Sequence, residues 1–391
     1  MNKAEFSPWP SFTLEEVKAV ESVLLSNKVN YWTGEHCLNF EKEFALWADT
    51  NYAVSLANGT LALDAALLAC DIGPGDEVIV TCRTYIASVS SVINSGAKPV
   101  FSDVNLDSQN ITAESILPNI THKTKAIICV HLAGWPCEMT DIMEVAKKFN
   151  LKVIEDCAQA HGALYKGKPV GSFGDIGCWS FCQDKIMSTG GEGGMITTNC
   201  KTLWEKIWAY KDHGKSYNSV FNKEHPEGFR WVHDSFGTNW RITEMQAAIG
   251  RIQLARMPDW HKKRKENACK IWSATSLISG LRTPTVPKNM SHAAYKCYVF
   301  IENSKLKKGW DRDRIMMKIK SFGVPCFSGC CPEVYLEKAF KNKPYRPQER
   351  LANAKVLGET SLMFLVHPTL TSNEIERTIQ AIRVTMEESV K

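Results

Sequence analysis

Short apolar runs alternate with helix-patterned stretches through the first half of this 391-residue chain, and that rhythm constrains its fold more than any other feature. Glu77 to Thr81, Pro99 to Asp103, Ala126 to His131 and Leu151 to Asp156 read as buried strands, while Leu61 to Cys70, Tyr85 to Ser95 and Asp141 to Asn150 carry helical periodicity. Strand and helix in alternation predict an α/β fold with a mainly parallel sheet flanked by helices. After Asp156 the rhythm loosens. Ile176 to Phe181 and Met195 to Asn199 read as two further strands, with a glycine-rich loop carrying Lys185 between them.

A polar stretch from Gly214 to Gly237 reads as a long loop. Arg241 to Arg256 is helical and leads into a second, basic helix around Trp260 to Trp272. Proline-bounded segments then surround strands such as Tyr298 to Ile301, and an amphipathic helix from Ser372 to Glu388 ends the chain. This shift divides the protein into a large domain, residues 1–255, and a smaller C-terminal α+β domain, residues 256–391.

The net charge of +5 comes from scattered basic residues, which argues against nucleic acid as a partner. No apolar run is long enough for a membrane span or a signal peptide, so no membrane partner and a cytoplasmic location are expected. The fourteen cysteines then read as reduced thiols. The cluster Cys326, Cys330, Cys331 lacks a histidine at metal-site spacing, and no metal is expected.

Two residues carry the chemistry. Asp156 closes a strand, where parallel sheets gather their ligands, and Lys185 lies 29 residues later in an apolar, glycine-rich loop. Singly, each has an ordinary reading: a helix cap and a solvated surface group. Together they are the two groups that pyridoxal phosphate most needs, an amine to hold its aldehyde as a Schiff base and a carboxylate to keep its ring nitrogen protonated. Gly59 and Thr60 open a helix whose free amides suit a phosphate, with Thr60 as its expected cap. Tyr85 is placed to stack on a ring, Gln159 to meet a ring oxygen, and Ser180 to join the phosphate contacts. Gly171 to Gly177 has glycine spacing reminiscent of a dinucleotide fingerprint but precedes a strand, and no Walker A, Gly-x-Ser-x-Gly or His-Glu-x-x-His is present.

Ordered landmarks extend along almost the whole chain: Trp32-Thr-Gly34, Asn58-Gly-Thr60, Gly73-Pro-Gly-Asp-Glu-Val78, Thr84-Tyr85-Ile-Ala87, Val153-Ile-Glu-Asp-Cys-Ala-Gln-Ala-His-Gly162, Gly190-Gly-Glu-Gly-Gly194 and Gly237-Thr-Asn-Trp-Arg241. In these the chain resembles the pyridoxal-phosphate-dependent nucleotide-sugar aminotransferases of the DegT/DnrJ/StrS type. The resemblance implies the fold-type-I aminotransferase architecture. It implies Lys185 as Schiff-base lysine and general acid/base, Asp156 on the pyridine nitrogen, Gln159 on the ring oxygen, Tyr85 on the ring face, and Gly59, Thr60 and Ser180 on the phosphate. Asn239 is implied to reach the phosphate of a neighbouring subunit's cofactor, hence a homodimer with shared sites. Two departures stand out: Glu35 where the family usually has proline, and one extra residue in the glycine run after Lys185.

The implied reaction takes an amino group from L-glutamate and gives it to a nucleotide-linked ketosugar. C4 of a UDP-linked 4-keto-6-deoxy-N-acetylhexosamine, for a surface polysaccharide, is the favoured acceptor, and C3 of a dTDP-linked 3-keto-6-deoxy sugar the alternative. The aromatic residues Trp32, Trp231 and Tyr335 are expected in loops near the nucleotide. A sugar dehydratase on the same scaffold replaces the lysine by histidine, which Lys185 argues against. A catalytically silent regulatory homologue is the remaining alternative.

Overall fold

The computed structural model describes residues 5–391. Seven strands form the central sheet: β1 (Tyr52–Leu56), β2 (Glu77–Thr81), β3 (Lys98–Ser102), β4 (Thr124–Val130), β5 (Lys152–Asp156), β6 (Ile176–Ser180) and β7 (Gly194–Thr198). Their spatial order is β1-β7-β6-β5-β4-β2-β3. The pairs β3/β2, β2/β4, β4/β5 and β5/β6 are parallel, and only β7, antiparallel to both β6 and β1, runs the other way. Helices Gly59–Ala69, Ala87–Asn94 and Met139–Phe149 supply the connections. The strands are buried along their length because both faces are covered, which is why they read as continuous apolar runs.

Each strand expected from the first half is present within two residues. β1 lay outside the expectation, since Tyr52-Ala-Val-Ser-Leu56 is too short and mixed to signal a strand until β7 pairs with it.

A three-stranded antiparallel sheet, Leu281–Arg282, Cys297–Ile301 and Ser361–Phe364, forms the second layer, with helix Ser372–Ser389 beside it. The two helical segments expected between Arg241 and Trp272 are one: helix Glu244–Thr275 runs unbroken for 32 residues with Pro258 inside it. Its first half buries Ala247, Leu254 and Met257 in the core beside the large sheet, and its second half buries Ala268 and Ile271 in the core under the small sheet. The chain therefore crosses residue 256 inside a helix, and the long helix ties the two sheets together. The Gly214–Gly237 stretch holds a short helix, Tyr217–Phe221, within otherwise irregular chain. No described helix is long and apolar enough to cross a membrane.

Candidate active site

The carboxyl ends of β1, β2, β5 and β6 open onto one cavity of about 740 Å³. It is lined by Gly59, Thr60, Tyr85, Asp156, Gln159, Ser180 and Lys185, seven of the residues singled out in the sequence. Asn239 is not among its lining residues. It is exposed, bridged to Asp212, and its side-chain oxygen accepts from its neighbour Arg241 N.

At one end lies the start of helix Gly59–Ala69. Asn58, not Thr60, is its cap: the Asn58 side chain accepts from Leu61 N at 3.0 Å, and Thr60 already belongs to the first turn. The amides of Gly59 and Thr60 thus come before any intrahelical acceptor and face an anion site. Ser180 sits against them. A Cβ added at Gly59 would lie 2.6 Å from Ser180 Cβ, so only glycine lets this helix start and the end of β6 approach this closely.

Asp156, 6% exposed, accepts from Ser88 Oγ at 2.8 Å and from Ala158 N at 3.1 Å. Ser88 has one hydroxyl hydrogen and spends it on Asp156, so Thr84, 2.8 Å from Ser88, is the donor in that pair. Gln159 accepts from Ala133 N at 2.9 Å through its side-chain oxygen. Its amide NH₂ is left to donate into the cavity. Tyr85 is 67% exposed at the rim.

Lys185 is half-buried in the loop between β6 and β7, its carbonyl held by the Trp9 indole at 2.8 Å. Its Nζ lies 5.3 Å from the centre of the Tyr295 ring. The Tyr295 hydroxyl donates to Asp184, whose own carboxyl burial would push up but whose neighbours, Lys185 first and then this hydroxyl, hold below the usual carboxylate range. Lys296 closes the same wall. Thr84, Ser88, Asp184, Tyr295 and Lys296 are site residues the sequence did not reveal. Asp184, adjacent to Lys185, was the one available signal.

The expected loop aromatics divide. Tyr335 is 1% exposed and part of the core, its hydroxyl donating to Glu333 and accepting from Leu351 N, so it is withdrawn from any role at the substrate. Trp32 is tied to the Asp212 carboxylate at 2.7 Å, and Trp231 is 84% exposed. At the Glu35 departure, Glu244 does the capping: its carboxylate accepts from His36 N at 2.7 Å and Cys37 N at 2.8 Å.

All fourteen cysteines are free. One buried trio among the described residues, His131, Glu155 and Cys157, has ligand atoms close together. Its hydrogen bonds are already committed. His131 Nδ1 accepts from Cys137 N at 2.9 Å, leaving Nε2 to donate to Glu155 at 3.0 Å, and Glu155 also accepts from Gly171, Phe173 and Gly174 N. The glycine-spaced segment is thereby a cradle for Glu155, which braces the end of β5 that carries Asp156.

The residues present fit pyridoxal phosphate. The helix start and Ser180 offer an anion cradle too tight for a side chain at Gly59, Asp156 is a buried acceptor with a fixed carboxylate, and Lys185 presents an amine that no carboxylate among the described residues pairs with.

Residues 10–383 match the family model described as the DegT/DnrJ/EryC1/StrS aminotransferase family. The fold superimposes on the X-ray structure of the aminotransferase from Psychrobacter cryohalolentis with a TM-score of 0.97 and 62% identity, covering 98% of this chain and 99% of the other. GDP-perosamine synthase of Escherichia coli O157:H7 is 44% identical over 66% of this chain and 68% of its own length. UDP-N-acetyl-3-dehydro-alpha-D-glucosamine 3-aminotransferase of Acidithiobacillus ferrooxidans is 35% identical over 88% of this chain and 87% of its own.

Proposed function

Because the chain belongs to the DegT/DnrJ/EryC1/StrS aminotransferase family, whose enzymes aminate nucleotide sugars with pyridoxal phosphate, we propose that it moves an amino group from L-glutamate to C4 of a UDP-linked 4-keto-6-deoxy-N-acetylhexosamine, for a surface polysaccharide. The observation that carries the reading is the meeting of Lys185, Asp156 and the Gly59–Ser180 cradle in one cavity. A relative named for a UDP-N-acetylated sugar supports the nucleotide and the N-acetyl group of the acceptor, although that relative is named for amination at C3.

When bound, the cofactor supplies an electron sink for the carbanion formed at the amino-bearing carbon. The Lys185 amine would hold the cofactor's aldehyde carbon and would serve as the base that takes, and the acid that returns, the proton of the amino-bearing carbon. Asp156 holds the proton on the pyridine nitrogen. Gly59, Thr60 and Ser180 would hold the phosphate, Gln159 would donate its NH₂ to the ring oxygen, and Tyr85 would cover the ring face. Asn239 would reach the phosphate held by a second copy of the chain, which would make the active unit a homodimer.

A GDP-linked ketosugar is the second reading, favoured by the 44% identity to GDP-perosamine synthase. Incubating enzyme and glutamate with UDP-, GDP- and dTDP-linked 3-keto and 4-keto sugars, then locating the new amine by NMR, decides between them. The UDP-linked 4-keto sugar is expected to turn over with the highest kcat/KM. Amination at C3 or preference for another nucleotide would refute the acceptor, and turnover only of free ketones would remove the nucleotide-sugar assignment.

A further inference from the structure

We infer, resting on the aminotransferase reading above, that Lys296 is the receptor for a carboxylate of the amino-acid donor. Lys296 immediately precedes the small-sheet strand Cys297–Ile301 and lines the cavity beside Tyr295, Tyr298 and Lys185. It is half-buried, and its ammonium group rests against the Tyr295 ring, 4.6 Å from the centroid. No carboxylate is within ion-pair distance of it among the described residues. Asp184, the acid nearest this wall, already takes the Tyr295 hydroxyl. A partly desolvated cation without a counter-ion is costly unless a ligand supplies the charge.

The anion that fits is set by what enters the cavity. The phosphate cradle lies at the start of helix Gly59–Ala69, formed by other residues. Of the two substrates, an amino acid carries a carboxylate on the very carbon whose amine exchanges with Lys185. A ketosugar is neutral around its carbonyl, and its diphosphate lies across the sugar ring. A cation on the same wall as Lys185 therefore complements the donor. Asp184, Arg264, which is buried, Lys185 and His367 are the charged and titratable groups that act on it, and the Tyr295 ring lies against it. Burial, helped by Arg264 and Lys185 and opposed by Asp184, pushes Lys296 down to about 8. Donor binding is thus complete while Lys296 is charged and is lost as pH rises through about 8.

The test separates the half-reactions. Cofactor-loaded wild type, Lys296→Gln and Lys296→Arg are mixed with L-glutamate alone, and the loss of cofactor absorbance is followed; the amino form is then mixed with ketosugar. Lys296→Gln is expected to raise the half-saturating glutamate concentration roughly ten- to a hundredfold, the worth of a charge-assisted hydrogen bond. Its half-saturation by ketosugar should stay near wild type, and Lys296→Arg should recover most of the donor affinity. Calorimetric titration with glutarate, a dicarboxylate with no amine to react, should rank the three proteins in the same order. Glutamate half-saturation should climb above about pH 8 in the wild type and stay flat in Lys296→Gln. A glutamine variant with wild-type donor affinity, a defect confined to the ketosugar half, or an arginine variant no better than glutamine would each overturn the assignment of Lys296 alone. Wild-type protein inert to every amino acid would overturn the aminotransferase reading and this inference with it.

Discussion

Ser88 donates its only hydroxyl proton to the Asp156 carboxylate at 2.8 Å, and Thr84 in turn donates to Ser88. The pair links the helix after β2 to the end of β5, so the carboxylate is aimed by a neighbouring βα unit rather than by its own loop alone. With Ala158 N on its other oxygen, Asp156 has little freedom to rotate. Preorganisation of this kind lets a charge act without reorganising during the reaction.

Replacing Asp156 by Ala should slow both half-reactions by something on the order of 10²- to 10⁴-fold, the range for lost proton control. Ser88→Ala leaves the charge and removes one of its two orienting bonds, so a smaller loss, roughly tenfold, is expected. Stopped-flow spectra of each half-reaction read both effects. Equal losses in the two variants would mean that orientation, not charge, is what Asp156 supplies.

Lys185 should be the sole point of covalent attachment. The wild type loaded with cofactor is expected to absorb visible light and, after borohydride reduction, to yield one modified peptide containing Lys185. Lys185→Ala should give none. Lys296, on the same wall, is the competitor most able to contradict this, and a labelled Lys296 peptide from wild type would transfer the role to it.

The acid limb of stability should carry a contribution from Glu374. Its carboxylate accepts from Thr371 N at 2.7 Å, Thr371 Oγ1 at 2.8 Å and Ser7 Oγ at 3.0 Å, pinning the N-terminal segment to the last helix. Burial pushes this carboxyl up, but the Thr371 and Ser7 hydrogen bonds together hold it below the usual value. A folded-state pKa below the unfolded one means stability present at neutral pH and lost as pH falls through the folded pKa. Glu374→Gln should cost about 1 kcal/mol at pH 7, and the gap to wild type in thermal midpoint should narrow below about pH 4. A gap independent of pH would show that packing, not ionisation, is at stake.

What could be read from sequence follows from the range of the interactions involved. The parallel strands were legible because burial on both faces leaves unbroken apolar runs, and the common placement of Asp156, Ser180 and Tyr85 at one cavity was legible because each ends or follows a strand at the same edge of the sheet. β1 was hidden because its strand character depends on pairing with β7, whose partner residues lie about 140 positions on. Tyr295 and Lys296 lie 110 and 111 residues beyond Lys185, just before the strand Cys297–Ile301 of the second sheet, and no local spacing announces that such a segment will close the cavity. Tyr335 misled for the converse reason: a tyrosine in a proline-bounded loop looks exposed until Glu333 and Leu351 satisfy its hydroxyl inside the core. The long helix was read as two segments that meet near Pro258, a residue that ordinarily breaks a helix, whereas here packing against both cores carries the helix through it.

The last prediction concerns subunits. Asn239 lies outside its own chain's cavity, at the end of the irregular segment that carries Phe229, Trp231 and Phe236, which are 74%, 84% and 100% exposed. Three large aromatics left in water on one segment are an energetic cost that a covering surface removes. A second copy, covering them and receiving Asn239 beside its Gly59–Ser180 cradle, accounts for both facts at once. The protein should therefore migrate as a dimer in solution, and Trp231→Ser with Phe236→Ser should weaken it. Lys185→Ala and Asn239→Ala proteins, each with little activity alone, should regain part of the wild-type rate when mixed, because half of the sites in a mixed dimer carry neither substitution. Subunit exchange demonstrated by mass spectrometry without any recovered turnover would mean that each site is complete within one chain, and Asn239 would then have to be assigned to the local bridge with Asp212 alone.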